Sequence, residues 1–98
     1  MLGDAVGRPG RTVVRSELPA LSKEKGIDVV ILNGENSAGG VGITVKVMNE
    51  LFAMGIDVIT SGNHIWKNRE IYAYLEREPR LLRPANYPPS APGKGLGV

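Results

Sequence analysis

The chain has 98 residues, of which 42% are hydrophobic and 22% charged, a balance that indicates one packed globular domain rather than disorder. The net charge of +2 comes with scattered basic residues, so no stable nucleic-acid partner is indicated. The absence of cysteine, of any apolar run of about eighteen residues and of a signal-peptide pattern excludes disulfides and thiolate sites, and predicts a cytoplasmic protein with no membrane partner.

The N-terminal part of the sequence predicts a short strand, a loop and a helix. Two apolar residues precede Gly3-Asp4, and the glycines and proline of residues 5–10 predict a loop. Apolar residues from Val13 to Leu21 then recur near helical spacing, and Gly26 is typical of a helix C-terminus. Pro19 lies inside this pattern, so we expect it to kink or shorten the helix.

The rest of the sequence continues the alternation of strands and helices. Residues 28–32 and 56–60 are short apolar runs that predict buried strands. Between them, Thr44 is a suitable N-cap for a second helix, which we expect to end at Gly55. A third helix is predicted from 68 to 77, before a tail rich in proline and glycine. The βαβ order predicts an α/β fold with a mainly parallel sheet.

Polar residues follow each predicted strand at the point where that strand ends. Gly3-Asp4 follows the first, residues 33–36 follow the second, and Gly62-Asn63-His64 follows the third. In parallel sheets, ligands gather beyond the carboxyl ends of the strands, so these side chains are expected at one edge. The candidate donors there are Asp4, Glu35, Asn36, Asn63 and His64.

This set of side chains has the chemistry of a site for divalent metal ions. Carboxylate and amide oxygens suit hard cations, and imidazole extends the range to iron, zinc and manganese. Two such ions can hold a phosphate ester and activate water, and Glu35 has two oxygens with which to bridge them. Asn63 could give a neutral amide oxygen, and His64 could donate a proton to the departing alkoxide.

Each of these residues also has an ordinary structural interpretation. Asp4 could cap a turn, Glu35 and Asn36 could be solvated turn residues, and His64 could be a structural histidine. Two common phosphate-binding motifs are absent from the sequence. A Walker A loop ending at Gly10-Arg11-Thr12 fails because arginine replaces the required lysine, and no G-x-G-x-x-G dinucleotide motif follows a strand. A metal site is therefore indicated by all three clusters together and by none of them alone.

Four segments resemble the YmdB-type metallophosphoesterase family of the calcineurin-like superfamily. They are GDAVGRPGR at 3–11, NGEN at 33–36, TSGNHIW at 60–66 and LLRPANYP at 81–88, with the expected spacings over essentially the whole chain. The resemblance implies an α/β sandwich of the metallophosphoesterase type. It also implies hydrolysis of phosphodiesters, with 2′,3′-cyclic nucleotides as the expected substrate class.

The resemblance further implies a dinuclear centre containing iron or manganese, with magnesium or zinc as alternatives. By position, Asp4 would bind the first metal, Glu35 would bridge both, Asn36 would contact the first and Asn63 the second. His64 would be the proton donor.

We expect residues 1–98 to be the N-terminal part of one metallophosphoesterase domain, truncated at both ends. Members of the family have a longer first strand and several later metal-binding histidines, whereas this chain has one histidine. We therefore expect the isolated chain to bind metal weakly and to turn over little. Two alternatives stay open, namely a nucleotide- or phosphate-binding module without catalysis and an inactive fragment. Open sheet edges would favour self-association, so a homo-oligomer is also left open.

Overall fold

Three short strands alternate with three helices along residues 1–97, the part of the chain that the computed structural model describes. A single turn of 3-10 helix precedes the last helix. The elements are β1 (Leu2–Asp4), α1 (Gly7–Lys25), β2 (Ile31–Asn33), α2 (Val45–Ala53), β3 (Val58–Thr60), the 3-10 helix Asn63–Trp66 and α3 (Ile71–Arg77).

The strands form one parallel sheet in the order β1-β2-β3. Leu32 is central to it, paired with Leu2 on one side and with Ile59 on the other. Each crossover passes through a helix, as a parallel connection requires. The predicted α/β fold with βαβ units and a parallel sheet is thus confirmed, and the described residues supply one three-stranded sheet of it.

The hydrophobic core joins this sheet to all three helices. Leu32 and Ile59 have no exposed surface. Successive side chains of a strand point to opposite faces of the sheet, and these two point to the face that the helices cover. Burial of one such side chain contributes about 1.5–3 kcal/mol relative to leaving it in water. The helices contribute Leu18 from α1, Met48 and Leu51 from α2, and Ile71 and Leu75 from α3 to the same cluster.

Helix α1 begins earlier than the sequence predicts, so the loop predicted over residues 5–10 is confirmed at residues 5 and 6 and wrong from residue 7 onward. The helix starts at Gly7 and takes in Pro9, which is tolerated because the first turn of a helix needs no intrahelical N–H donor. It also continues through Pro19 to Lys25, so the expected shortening is wrong. Gly26 ends it with a left-handed φ of 62°, as predicted.

The cap and the end of α2 agree with the sequence pattern. The Thr44 hydroxyl accepts a hydrogen bond from the backbone N–H of Val47 at 3.2 Å, which satisfies one of the free donors of the first turn. Gly55 follows the helix with a φ of 101°, which favours glycine.

Elsewhere the regular elements are shorter than predicted. Strand β2 starts at Ile31 rather than residue 28, β3 starts at Val58 rather than residue 56, and α3 starts at Ile71 rather than residue 68. Just before β2, a hydrogen bond to a side chain takes the place of regular strand pairing. The backbone N–H of Val30 donates to the Asp57 carboxylate at 2.8 Å. In residues 1–97, no helix has the length and apolar character needed to cross a bilayer.

Candidate functional site

The carboxyl edge of the sheet brings together the polar segments that follow the three strands. Asp4 is the last residue of β1 and pairs in register with Asn33, which in turn pairs with Thr60 at the end of β3. The turn carrying Glu35 and Asn36 begins directly after Asn33. The 3-10 helix with Asn63 and His64 begins three residues after Thr60, at the same edge.

Asn36 lies at the centre of the hydrogen-bonded cluster. Its Nδ2 donates to Oδ2 of Asp4 at 2.9 Å, and its Oδ1 lies 2.9 Å from Nδ1 of His64. Because an ionised carboxylate only accepts, the amide nitrogen must face Asp4 and the amide oxygen must face the imidazole. This orientation assigns the hydrogen of His64 to Nδ1, and in the neutral ring it leaves Nε2 as the free acceptor.

Glu35 contacts the same imidazole and the backbone that carries it. Its Oε2 accepts from the backbone N–H of His64 at 3.3 Å, and its Oε1 lies 3.9 Å from Nδ1 of His64. The Glu35 side chain is 17% exposed and that of His64 is 35% exposed, so both remain reachable from solvent. The backbone N–H of Glu35 donates to Oδ1 of Asn33 at 3.0 Å, which holds the turn in place.

Asn63 lies beside this cluster rather than within it. It is exposed at the start of the 3-10 helix, and no side-chain hydrogen bond between described residues involves it. Four of the five predicted site residues are thus in direct contact with another member of the set, and the fifth has a side chain free to bind a ligand.

Gly62 makes room for the Glu35 carboxylate of the cluster, and Gly34 makes room for the core residue Ile59; the sequence pattern identified neither contact. A Cβ atom at Gly62 would lie 1.6 Å from Oε2 of Glu35, and one at Gly34 would lie 2.8 Å from Cγ2 of Ile59. The need here is for an absent side chain, and the only signal for it was the position of each glycine beside a strand end.

Oxygen and nitrogen donors of the right kind for manganese, iron or magnesium are present at this edge. Two carboxylates, Asp4 and Glu35, approach the same amide group of Asn36. Within residues 1–97, however, no three His, Cys, Asp or Glu side chains lie close enough to form a metal-binding group. The donor chemistry therefore fits a metal ion, while the described residues supply only part of a complete ligand set.

The chain is similar to known proteins in both sequence and fold. A family model described as YmdB-like protein matches residues 1–98. A protein of Bacillus subtilis (strain 168) named 2′,3′-cyclic-nucleotide 2′-phosphodiesterase is 44% identical over 95 residues, which are 97% of this chain and 36% of that protein.

Two crystal structures share the fold of this chain. A hypothetical protein from Thermus thermophilus superposes with a TM-score of 0.86 at 42% identity, over 98% of this chain and 38% of that one. A structure described as a novel phosphatase from Mycoplasma pneumoniae gives a TM-score of 0.87 at 33% identity, over 95% of this chain and 34% of that one. The chain spans about a third of the length of the relatives it matches.

Proposed function

Because this chain belongs to the YmdB-like family, we propose that it carries part of the active site of a metal-dependent phosphodiesterase. The observation that supports this most is the convergence of Asp4, Asn36 and His64, from three separate strand ends, into one hydrogen-bonded cluster. A cluster of acid, amide and imidazole at the carboxyl edge of a parallel sheet has the chemistry that phosphate-ester hydrolysis needs.

In this proposal the side chains of Asp4, Glu35, Asn36 and Asn63 would hold two divalent ions, and both carboxylate oxygens of Glu35 would be available to them. Iron or manganese is the first choice, and magnesium or zinc the second. When bound, the ions supply positive charge that stabilises the transition state of the phosphate ester. The exposed side chain of Asn63 is free to contribute a neutral oxygen, which adds no negative charge beside an anionic substrate.

His64 is the proposed proton donor to the departing alkoxide. Its Nδ1 is held by Oδ1 of Asn36, so Nε2 is the ring nitrogen left to meet a substrate. A protonated imidazole gives a proton from Nε2 when the ester bond breaks, and Asn36 keeps the ring oriented throughout. Glu35 helps to place the same residue through the backbone N–H of His64.

The proposed substrates are small phosphodiesters, and 2′,3′-cyclic nucleotides first among them. The Bacillus subtilis relative carries that activity in its name, and this chain matches it over 95 residues. Two ions need more ligands than the described residues provide, so the remainder would come from further polypeptide or from a second copy of the chain. Residues 1–98 would then be the N-terminal part of one metallophosphoesterase domain.

A phosphate-binding module without catalysis receives less support. Such a module would use the backbone amides of the glycine-rich turn, yet several of these already donate within the protein. The N–H of Gly34 donates to Thr60 O at 2.9 Å, and that of Ser37 donates to Gly34 O at 3.2 Å. The N–H of Glu35 is also taken, by the Asn33 side chain. Fewer backbone amides of the turn are therefore left to hold a phosphate than such a module would use.

The test is hydrolysis of 2′,3′-cyclic AMP and of a chromogenic phosphodiester by the purified chain, with and without Mn²⁺. We expect low turnover that requires Mn²⁺ and is lost in Asn63→Ala, whose side chain makes no internal bond in residues 1–97. Mn²⁺ binding is measured in parallel by electron paramagnetic resonance. Binding that is unchanged in both Asp4→Asn and Glu35→Gln would contradict the proposed ligands.

A further inference from the structure

A second polar feature, with the opposite charge, lies between the first halves of α1 and α2. It is a half-open cleft of about 680 Å³, and cationic side chains dominate its lining. Arg8, Arg11 and Arg15 come from one face of α1, since a spacing of three or four residues repeats on one side of a helix. Lys46 comes from α2, and Glu50 is the one acidic residue among those that line the cleft.

Glu50 holds two of these cations in place. Its Oε2 lies 3.4 Å from Nε of Arg11, and its Oε1 accepts from Nη2 of Arg15. Arg11 also donates from Nη1 to the carbonyl oxygen of Ser37, so its guanidinium is fixed from two sides. A guanidinium held in this way loses little further freedom when it binds an anion.

Arg8 and Lys46 are the free cations of the cleft. Both are exposed, and neither forms a salt bridge with any residue in the range 1–97. Four positive charges and one negative charge leave three positive charges on the lining. Like charges repel one another, so this arrangement costs free energy until an anion enters the cleft.

We propose that this cleft binds a small molecule through two linked phosphate groups. One phosphate carries about −1.5 to −2 charges near pH 7, so a diphosphate complements three positive charges where a single phosphate does not. Arginine and lysine are the side chains that bind phosphate most strongly. The volume lies within the range of small-ligand sites and leaves room for a group attached to the diphosphate.

The lining argues against a single-stranded nucleic acid as the occupant. Proteins that bind such strands combine a cationic groove with aromatic side chains on which the bases stack. The cleft has no aromatic residue in its lining, which consists of the five charged residues with Thr12, Val47 and Asn49. Recognition therefore depends on the phosphate groups and not on bases.

The test is calorimetric titration of the 98-residue chain with pyrophosphate, ADP and orthophosphate in buffers freed of divalent cations by a chelating resin. Without metal, the acidic cluster of Asp4 and Glu35 repels anions, so this binding is independent of the proposed catalytic function. We expect pyrophosphate to bind at least about tenfold more tightly than orthophosphate at equal ionic strength. ADP binding tighter than pyrophosphate would identify a nucleotide as the source of the diphosphate, and equal binding would identify the diphosphate alone.

Two double variants distinguish binding at the cleft from a general effect of positive charge. Arg8→Ala with Lys46→Ala should weaken pyrophosphate binding by about tenfold or more. Lys23→Ala with Lys25→Ala removes the same charge from the last turn of α1. This control variant should bind pyrophosphate with an affinity within about twofold of that of the unchanged chain. If the first double variant does not fold, Lys46→Gln gives the same test with a loss of roughly threefold.

Three results would overturn the proposal. They are equal losses in the two double variants, orthophosphate binding as tight as pyrophosphate binding, and an oligonucleotide of matched charge that binds more tightly than pyrophosphate. An absence of saturable pyrophosphate binding up to roughly 10 mM would also overturn it.

Discussion

A Cβ atom at Gly62 would lie 1.6 Å from Oε2 and 2.3 Å from Cδ of Glu35, so the Glu35 carboxylate occupies the space that a side chain at position 62 would need. Gly62 has a φ of −135°, an ordinary extended value that any residue adopts. The requirement for glycine is therefore one of space. It links the turn after β2 to the start of the 3-10 helix that carries His64.

We predict that Gly62→Ala displaces the Glu35 carboxylate and weakens Mn²⁺ binding by about tenfold or more, in the range seen when the partners of a metal ligand are disturbed. The thermal midpoint should change little, because Glu35 is partly exposed and can rotate toward solvent. Electron paramagnetic resonance of free Mn²⁺ measures the affinity. Gly3→Ala is the matched control, since a Cβ there meets nothing within 4 Å. Equal affinity in both variants would contradict the prediction.

Asn36→Asp should destabilise the metal-free chain. The change replaces the amide that donates to Asp4 and places a third carboxylate beside Asp4 and Glu35. Loss of this donor, with the added repulsion, should cost about 1–3 kcal/mol, and each 1 kcal/mol lowers the melting temperature of a domain of this size by about 4–8 °C.

A divalent cation should reverse the effect of Asn36→Asp, because the extra carboxylate strengthens a hard-cation site. Thermal unfolding followed by circular dichroism, with and without Mn²⁺, measures both changes. Asn86→Asp is the control, since Asn86 is exposed and distant in sequence from the cluster. A melting temperature for Asn36→Asp that matches the control in the absence of metal would show that the amide has no such role.

The predictable parts of the fold depend on local sequence. Thr44 caps α2 because its hydroxyl reaches the N–H three residues on, and Gly26 ends α1 because its φ of 62° favours glycine. The start of α1 was missed because it depends on contacts with residues outside the helix. The Gly7 N–H donates to Asn36 O at 2.9 Å, and Gly10 packs so closely on Ala5 that an added Cβ would lie 3.0 Å from it.

The candidate site was also predictable only in part. Parallel topology was sufficient to predict that Asp4, Glu35 and His64 come to one sheet edge. The central place of Asn36 between Asp4 and His64 could not be predicted, because it depends on side-chain directions after a turn. The 3-10 helix was missed for a similar reason, since its start is held by the bond from the His64 N–H to Glu35.

The stability of the fold depends on pH through the carboxyl group of Glu78. The Arg80 guanidinium donates to its carboxylate from Nε at 2.9 Å and from Nη2 at 3.0 Å, and this lowers the pKa of Glu78 from its ordinary value of 4.5. A carboxyl group with a lower pKa in the folded chain stabilises it above pH 4.5. That contribution is lost as the pH falls through the folded-state pKa.

Glu78→Gln should therefore lower the melting temperature by a few degrees at pH 7, because a partly exposed ion pair contributes about 0.2–1 kcal/mol. The difference from the unchanged chain should shrink as the pH falls below 4.5. Thermal unfolding at a series of pH values measures it. Glu24→Gln is the control, because Glu24 is exposed and belongs to no salt bridge within residues 1–97. A difference that is constant across pH would contradict the assigned cause.

Arg83 holds the tail of the chain against the rest of the fold. It is 8% exposed, and within residues 1–97 its guanidinium donates only to backbone carbonyls of the segment that follows it. Trp66 reaches the same segment, since its Nε1 donates to Pro92 O at 3.2 Å and its ring meets Tyr87 edge-on at 4.5 Å. The carbonyls bound by Arg83 are those of Pro84, Tyr87, Pro88 and Gly93.

Arg83→Lys should release residues 84–97 while the sheet remains folded. A lysine ammonium keeps the charge but lacks the planar fork that serves several carbonyls at once, so backbone groups would lose buried partners at about 1–3 kcal/mol each. Hydrogen exchange measured by mass spectrometry should become at least about tenfold faster in the tail and change little in β2. The fluorescence of Trp66 should also shift to longer wavelength as Tyr87 and Pro92 move away. Arg69→Lys, at an exposed position, should change neither observable. Exchange in the tail that matches this control would show that packing around Trp66 holds the segment without Arg83.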